Sequence, residues 1–392
     1  MIGTVRKKEH YTINYFTDKE YVMLKELITF LKKEIVLTVS CILAIVSCFI
    51  ITPDAEYLGY VDMHTILILF CLMAVMAGLK DIGLFQYIGE GLLRKIHSER
   101  GIAFILVFLC FFSSMLITND VALITFVPLA ILILKMANME ISLCYIVTLM
   151  TIAANLGSMM TPIGNPQNLY LYSVSGMPLS DFLMLMLPYT VVSGILLVLF
   201  IIVRFRSVSV AFEIPETANK LNRSRIIYYL VLFVICLLAV AKICPIELLT
   251  IIVLAAVIKD NWKLLKNIDY GLLATFIFFF IFIGNMGRFS VFRDFISSIL
   301  EGHVQLVAIL SSQVISNVPA ALLLSGFTNE WTNLIIGTNL GGLGTLIASM
   351  ASLISYKQVA ENYPAEKGNY FKMFTICNIL FLVILYGVAI ML

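Results

Sequence analysis

The sequence is poor in charged residues. Only 13% of its 392 residues are charged, whereas a soluble domain has about 25%. Hydrophobic residues make up 61% of the chain, and because one bilayer crossing uses about 20 of them, the chain can cross a membrane about ten times. The composition excludes a soluble protein and predicts an all-α polytopic membrane protein.

A basic excess, a metal motif and an enzyme motif are also missing. The 26 basic and 24 acidic residues leave a net charge of +2, which argues against nucleic acid as a partner. The eight cysteines form no CxxC pair and have no metal-type spacing with the four histidines. No apolar segment carries a Ser/His/Asp set or an HxxxH pair. These absences predict a protein that is not an enzyme and that uses no cofactor or metal beyond a coupling Na⁺ or H⁺.

The distribution of the few charges divides the chain. Basic residues favour the cytoplasmic side, so the basic, amphipathic residues 1–34 predict a cytoplasmic N-terminus. By the same rule, residues 35–203 form a first half, residues 204–225 a cytoplasmic linker and residues 226–392 a second half. The charge pattern predicts about nine full spans in the inner or plasma membrane.

Two further apolar segments, residues 101–134 and 304–327, each contain a polar break. The flanks of each segment fall on one predicted side of the membrane, cytoplasmic for the first and external for the second. We interpret both as re-entrant hairpins, with the tips Thr118-Asn119-Asp120 and Ser316-Asn317-Val318. They enter the membrane from opposite sides.

Three short segments of the first half match three of the second half in the same order. They are DIGLF with NMGRF, ITNDVAL with ISNVPAA, and NLGSMMTPIGNPQNLYLY with NLGGLGTLIASMASLISY. Because the charges give the halves opposite orientations, the matches predict two inverted-topology repeats, each with a re-entrant hairpin and a broken transmembrane helix. Secondary transporters are built in this way, with the substrate at the repeat interface.

The helix breaks supply the candidate ligands. A break inside a bilayer exposes backbone groups, half-helix N-termini attract anions, and unwound carbonyls suit Na⁺. An alternative is that Asn, Gly and Pro only kink packed helices. The candidate substrate ligands are the polar residues at the breaks: Thr118, Asn119, Thr161, Asn165, Ser316, Asn317 and Thr345. The residues that make or accompany the breaks are Pro162, Gly164, Pro166, Gln167, Asn168, Pro319 and Gly342.

Asp120 is the only carboxylate between Glu99 and Glu140. An unpaired charge at this depth costs at least ~2.5–3.5 kcal/mol, so Asp120 needs a cation or a proton. The alternative is a hairpin cap that binds its own backbone amides. Val318 stands at the matching place of the second tip, so the sequence predicts one charged coupling site.

The TND and SNV tips, together with NLGSMMTPIGNPQNLYLY, resemble the ion transporter superfamily. This superfamily includes divalent-anion/sodium symporters, citrate permeases, arsenite/antimonite permeases and P-protein relatives, and the resemblance covers nearly all of residues 35–392. Dicarboxylate symporters have Ser-Asn-Thr at both tips, so the tips found here are more similar to the arsenite permease and P-protein branch.

The resemblance implies an elevator-type secondary transporter, often a homodimer. It also implies two half-sites for cation and substrate, the first made with Thr118 and the second with Ser316. The cation ligands that it implies are Asn119, Asp120, Asn155 and Gly157 in the first half, and Asn317, Asn339 and Gly341 in the second.

The sequence thus predicts a secondary transporter that couples a small anion, a carboxylate or an oxyanion, to Na⁺ or H⁺ by alternating access. The expected partners are this anion, membrane lipid and a second copy of the chain. An arsenite/antimonite efflux permease is the first alternative, and an anion channel is the second.

Overall fold

The computed structural model describes residue 25, residues 34–210 and residues 221–392. Nearly all of the predicted N-terminal segment 1–34 and the middle of the predicted linker lie outside the described residues. Those described are mostly helical and contain no β-strand. This confirms the all-helical class.

Nine α-helices are described between residue 34 and the linker. Short 3₁₀ turns stand before α7 and α8, at Glu140–Ser142 and Pro162–Gly164. The nine helices are α1 (Ile35–Ile50), α2 (Tyr57–Tyr60), α3 (Met63–Asp81), α4 (Leu84–Leu93), α5 (Glu99–Ser113), α6 (Asn119–Met136), α7 (Leu143–Ser158), α8 (Pro166–Ser175) and α9 (Leu179–Arg204).

Nine more are described after the linker. Short 3₁₀ turns precede α12 and α18, at Trp262–Asn267 and Pro364–Glu366. The helices are α10 (Arg223–Val240), α11 (Ile246–Asn261), α12 (Tyr270–Arg288), α13 (Ser290–Leu300), α14 (Val304–Ile315), α15 (Asn317–Ser325), α16 (Trp331–Leu340), α17 (Met350–Asn362) and α18 (Lys367–Met391).

Seven helices in the described part of the chain are long and apolar enough to cross a bilayer, or eight if α13 and α14, bent by 111°, count as one span. A multi-pass membrane protein is therefore confirmed, whereas the count of nine spans stays a prediction. The two numbers differ because α1 and α11 have only 16 residues each, and because the breaks divide the other candidates into shorter helices. The α6 helix, part of the first predicted hairpin, has 18 residues and is one of the seven.

Side-chain caps fix where several helices begin. The carboxylate of Asp62 accepts from the backbone N–H of Thr65 at the start of α3, and Asp269 accepts from Leu272 at the start of α12. Ser98 does the same for α5. Such caps satisfy backbone donors that the first turn of a helix leaves free. The polar residues between apolar runs therefore set the ends of the helices.

The two halves interlock. The α1 helix packs against α12 of the second half, and α11 packs against α3 of the first half. The second helix of each hairpin crosses over in the same way, because α6 packs against α17 and α15 packs against α8. The α7 helix is buried along almost its whole length. The breaks that follow α7 and α16 are therefore enclosed by elements of both halves.

Candidate functional site

The described part of the chain has four breaks, namely the two hairpin tips and the two broken helices. Asn155, near the end of α7, lies in one of them and forms hydrogen bonds with two others. Its side-chain oxygen accepts from the Asn119 amide at 3.0 Å and from the Ser349 hydroxyl at 3.0 Å. Its amide nitrogen donates to the carbonyl of Gly342 at 3.4 Å. The first hairpin tip and both broken helices therefore meet at one buried side chain.

Asn339, at the end of α16, makes the reciprocal connection. Its amide donates to the side-chain oxygen of Asn168 at 2.6 Å, and its own oxygen accepts from Asn165 at 3.4 Å. All three asparagines are buried. Buried amides need such partners because an unpaired polar group costs about 1–3 kcal/mol. Asn339 of the second half thus forms hydrogen bonds with the broken helix of the first half, residues 155–172.

Matching residues of the two halves make matching contacts. Hairpin positions correspond at a separation of 198 residues (Asn119 and Asn317), and broken-helix positions at 184 (Asn155 and Asn339). By these separations, Ser114 and Gly157 correspond to Ser312 and Gly341. A Cβ atom at Gly157 would lie 2.6 Å from the Ser114 hydroxyl oxygen, and one at Gly341 would lie 2.6 Å from that of Ser312. In each half, glycine lets the broken helix touch the hairpin.

Two threonines at the breaks repeat this correspondence. Thr161 donates to the carbonyl of Met115, and Thr345 donates to the carbonyl of Gln313 at 3.1 Å. Met115 and Gln313 are again 198 residues apart. Both hydroxyls, which the sequence predicts as substrate ligands, tie a break to the hairpin of its own half.

We expect Gly157→Ala to destabilise the protein by about 1–3 kcal/mol, because the added Cβ would lie 2.0 Å from the Phe111 carbonyl oxygen. Gly91→Ala is the control, since Gly91 lies exposed in α4 with nothing within 4 Å of the added atom. Thermal unfolding in detergent measures both. Unchanged stability of Gly157→Ala would contradict the close contact.

The second tip differs from the first in its backbone. Ser316 has φ +73°, in the left-handed region that residues other than glycine seldom adopt. The backbone N–H of Asn317 donates to the carbonyl of Ala348 at 3.0 Å, and the Ser316 hydroxyl donates to the same carbonyl at 3.4 Å. The second tip is thus fastened to the break between α16 and α17.

Asp120 lies in the first turn of α6, after Thr118. Its backbone N–H donates to the Asn119 side chain at 2.9 Å, but its buried oxygen Oδ1 has no hydrogen-bond partner in the described part of the chain. A buried carboxylate oxygen without a donor is costly. Asp120 therefore does not act as a self-satisfied cap, and a cation or a proton would supply what is missing.

A cavity of about 560 Å³ opens beside this carboxylate. Thr118, Asp120 and Asn165 line it together with apolar side chains of α3 and α6. The charged residues in its wall are Lys80, Asp81, Asp120 and Asp269. With three carboxylates and one ammonium, the wall is negatively charged. A cation placed here gains favourable electrostatic energy.

Of the remaining candidate residues, Pro166 also lines this cavity, and the others have structural contacts at the breaks. Gly164 packs so closely on the backbone of Ser158 that a Cβ would lie 2.1 Å from its carbonyl oxygen. Pro162 begins the 3₁₀ turn, and Pro166 begins α8 after the cap of Asn165. The other positions are buried at the breaks or in α15: Gln167, Asn168, Pro319, Gly341 and Gly342.

Sequence reasoning missed Gln313, Ser349 and Asp269. Gln313 lies outside the matched segments, and Ser349 lies inside the matched segment 339–356 but is not among the predicted ligands, although each is a polar side chain beside a break. Asp269 reads as a loop residue between α11 and α12, yet it lines the cavity with Asp120. Among the described residues, no group of three His, Cys, Asp or Glu side chains could hold a metal ion.

The chain matches the citrate transporter family over residues 27–328. It is 34% identical over 343 residues to an uncharacterized transporter of Methanocaldococcus jannaschii, covering 87% of this chain and 92% of that protein. It is 29% identical over 322 residues to the inner membrane protein YbiR of Escherichia coli, covering 80% and 85%. Over 139 residues it is 30% identical to the silicon efflux transporter LSI3 of Oryza sativa subsp. japonica, covering 36% and 28%.

The family match extends over most of the chain and includes both the first predicted hairpin and the second tip. The family and two of these three relatives are transporters by name, which confirms that the protein is not an enzyme. The chain belongs to the citrate transporter family, as a multi-pass membrane transporter.

Proposed function

We propose that the protein is a secondary transporter that couples the movement of a small carboxylate or oxyanion to Na⁺ or H⁺. The family supports an anion as the substrate. The observation that carries the coupling is Asp120, whose buried oxygen lacks a partner and whose side chain lines the cavity. The cation would supply the missing positive charge.

The charge of the cavity gives a reason for coupling. An anion that approaches the negatively charged wall is repelled until a cation neutralises Asp120. Asp81 is already paired with Arg225 at 3.0 Å, so Asp120 and Asp269 are the carboxylates that determine this repulsion. Binding of the cation then raises the affinity for the anion, and by linkage the anion raises the affinity for the cation.

Alternating access in this proposal uses two inverted repeats. The matching contacts of Ser114 with Gly157 and of Ser312 with Gly341 support the correspondence between the halves. The same order of elements, from α3 to α9 and from α12 to α18, supports it as well. An elevator movement, a homodimer and a cytoplasmic N-terminus complete the proposal, with the protein in the inner or plasma membrane.

A second candidate function is efflux of an undissociated oxyacid, such as arsenous, antimonous or silicic acid. The partial similarity to a silicon efflux transporter favours it. The negatively charged wall also favours it, because a neutral solute is not repelled there. The relationship to the arsenite permease branch stays a prediction.

Uptake by reconstituted liposomes tests the proposal. Citrate, arsenite and silicate are supplied outside at equal concentration, with an inward gradient of Na⁺ or of protons or with none. We expect the substrate to accumulate above its outside concentration only with a cation gradient, and an ionophore to abolish this. Equilibration without accumulation would indicate a channel and would contradict the proposal. Accumulation of arsenite or silicate but not citrate would favour the second candidate function.

A further inference from the structure

The side chain of Gln313 fills a small cage of backbone carbonyls in the second half. Its amide nitrogen Nε2 lies 3.0 Å from the carbonyl oxygen of Gly341, 2.9 Å from that of Leu343 and 3.1 Å from that of Ile309. Its oxygen Oε1 accepts from the backbone N–H of Thr345 at 2.9 Å. Three of these four hydrogen bonds tie the side chain to the unwound segment after α16, and the fourth, to Ile309, lies within α14.

This arrangement has the chemistry of a cation site. Unwound carbonyls in broken helices coordinate Na⁺, and rings of carbonyl oxygens replace the water shell of an ion. An amide nitrogen has only two hydrogens, so three carbonyls around it are more acceptors than it can satisfy with linear bonds. Here the amide N–H groups of Gln313, which carry partial positive charge, lie among the three carbonyl oxygens.

The backbone leaves room for this side chain. Gly344 has φ +106°, and a Cβ atom there would lie 2.3 Å from the Gln313 oxygen Oε1. Any other residue at this position would be strained and would collide with the amide. Gly344 thus leaves the space that the side chain of Gln313 occupies.

The first half has no such amide. The position that corresponds to Gln313 is Met115, whose thioether has no hydrogen-bond donor. The first half has Asp120 where the second half has Val318. The charged side chain, Asp120, is in the first half, and the amide donor, Gln313, is in the second half.

We propose that the amide of Gln313 stands in the place of a bound cation, so that the second half of the site is held together without an ion and the protein binds one coupling cation. The proposal rests on the proposed function, in which the halves correspond and the first half binds the cation at Asp120. Gln313 acts as a positioning residue for the segment from Gly341 to Thr345.

The test converts the donor into an acceptor. Gln313→Glu removes the N–H groups and adds a negative charge among the carbonyls, so the cage then needs an ion. The variant is made in an Asp120→Asn background, in which the first site is absent. We expect the melting temperature of the double variant, measured at pH 8 in detergent, to rise when NaCl replaces choline chloride. The Asp120→Asn parent should not respond.

Gln305→Glu in the same background is the control. It makes the same exchange on α14, at a side-chain nitrogen that has no hydrogen-bond partner in the described residues. We expect no response to Na⁺. A double variant with Gln313→Glu that is folded and equally insensitive to Na⁺ would overturn the proposal, even if Asp120 proves to be the coupling site. A response of the Asp120→Asn parent equal to that of the wild type would instead contradict Asp120 as the cation site.

Two further variants decide the question if Gln313→Glu does not fold in either salt. Gln313→Lys carries its own cation into the cage, whereas Gln313→Met copies the residue of the first half and donates nothing. We expect the melting temperature of Gln313→Lys to exceed that of Gln313→Met. The reverse order would overturn the proposal.

Discussion

Replacing Asp120 by asparagine is expected to abolish accumulation at the cation concentrations that just saturate the wild type. Asparagine keeps the size of the side chain but removes the charge that a cation would neutralise. Interactions with a charged group contribute about 1.5–3 kcal/mol, so the apparent affinity for the coupling cation should fall by about 10- to 100-fold. Uptake by proteoliposomes as a function of Na⁺ concentration and of pH measures this change.

The folding of the Asp120→Asn protein should not suffer. Asp120 has no hydrogen-bond partner at Oδ1 that the exchange would remove. Asp181→Asn provides the control, because Asp181 is an exposed carboxylate in the first turn of α9 and lines no cavity described above. If Asp120→Asn keeps the cation dependence of the wild type, Asp120 is only a structural residue of the tip.

The second large effect is expected at the paired asparagines of the two tips. Asn119→Ala and Asn317→Ala should each lower the rate of transport by at least about 10-fold, since each removes a buried amide next to a helix break. Measured uptake of the substrate identified for the wild type, normalised to the amount of reconstituted protein, gives this rate.

The structure indicates why both proteins should still fold. Without Asn119, the oxygen of Asn155 keeps its hydrogen bond from Ser349. Without the Asn317 side chain, the backbone N–H of residue 317 still donates to Ala348. Asn362→Ala is a suitable control, because Asn362 is an exposed asparagine of α17 that bonds only within its helix. Transport at the wild-type rate by either tip variant would show that the two tips do not form the site.

The sequence predicts which residues belong to the site better than it predicts the hydrogen-bond partners of those residues. Asn119, Asn155 and Asn339 stand out because an asparagine inside an apolar segment needs a reason to be there. Their contacts across the halves could not be predicted, since Asn155 and Gly342 are 187 positions apart and lie in different repeats. The resemblance assigns Asn339 to a separate second half-site, but the structure connects its side chain with Asn165 and Asn168.

Hydropathy also conceals the residues that act on a break from outside it. Gln313 is one of four polar residues in the hairpin arm Val304–Ile315, and only the folded chain brings the carbonyls of Gly341 and Leu343 to its amide. Asp269 caps α12 in the manner of many aspartates, so its sequence context gives no sign that it lines the same cavity as Asp120.

The interlocking of the halves has a consequence for biogenesis. The α1 helix leaves the ribosome early, but α12, against which it packs, begins 220 residues after α1 ends. At about 5–20 residues per second, α1 waits on the order of 10–40 s in the bilayer without its partner. A nascent chain that stops at the linker therefore inserts without assembling, and its unpaired helices are exposed to membrane proteases until the second half is synthesised.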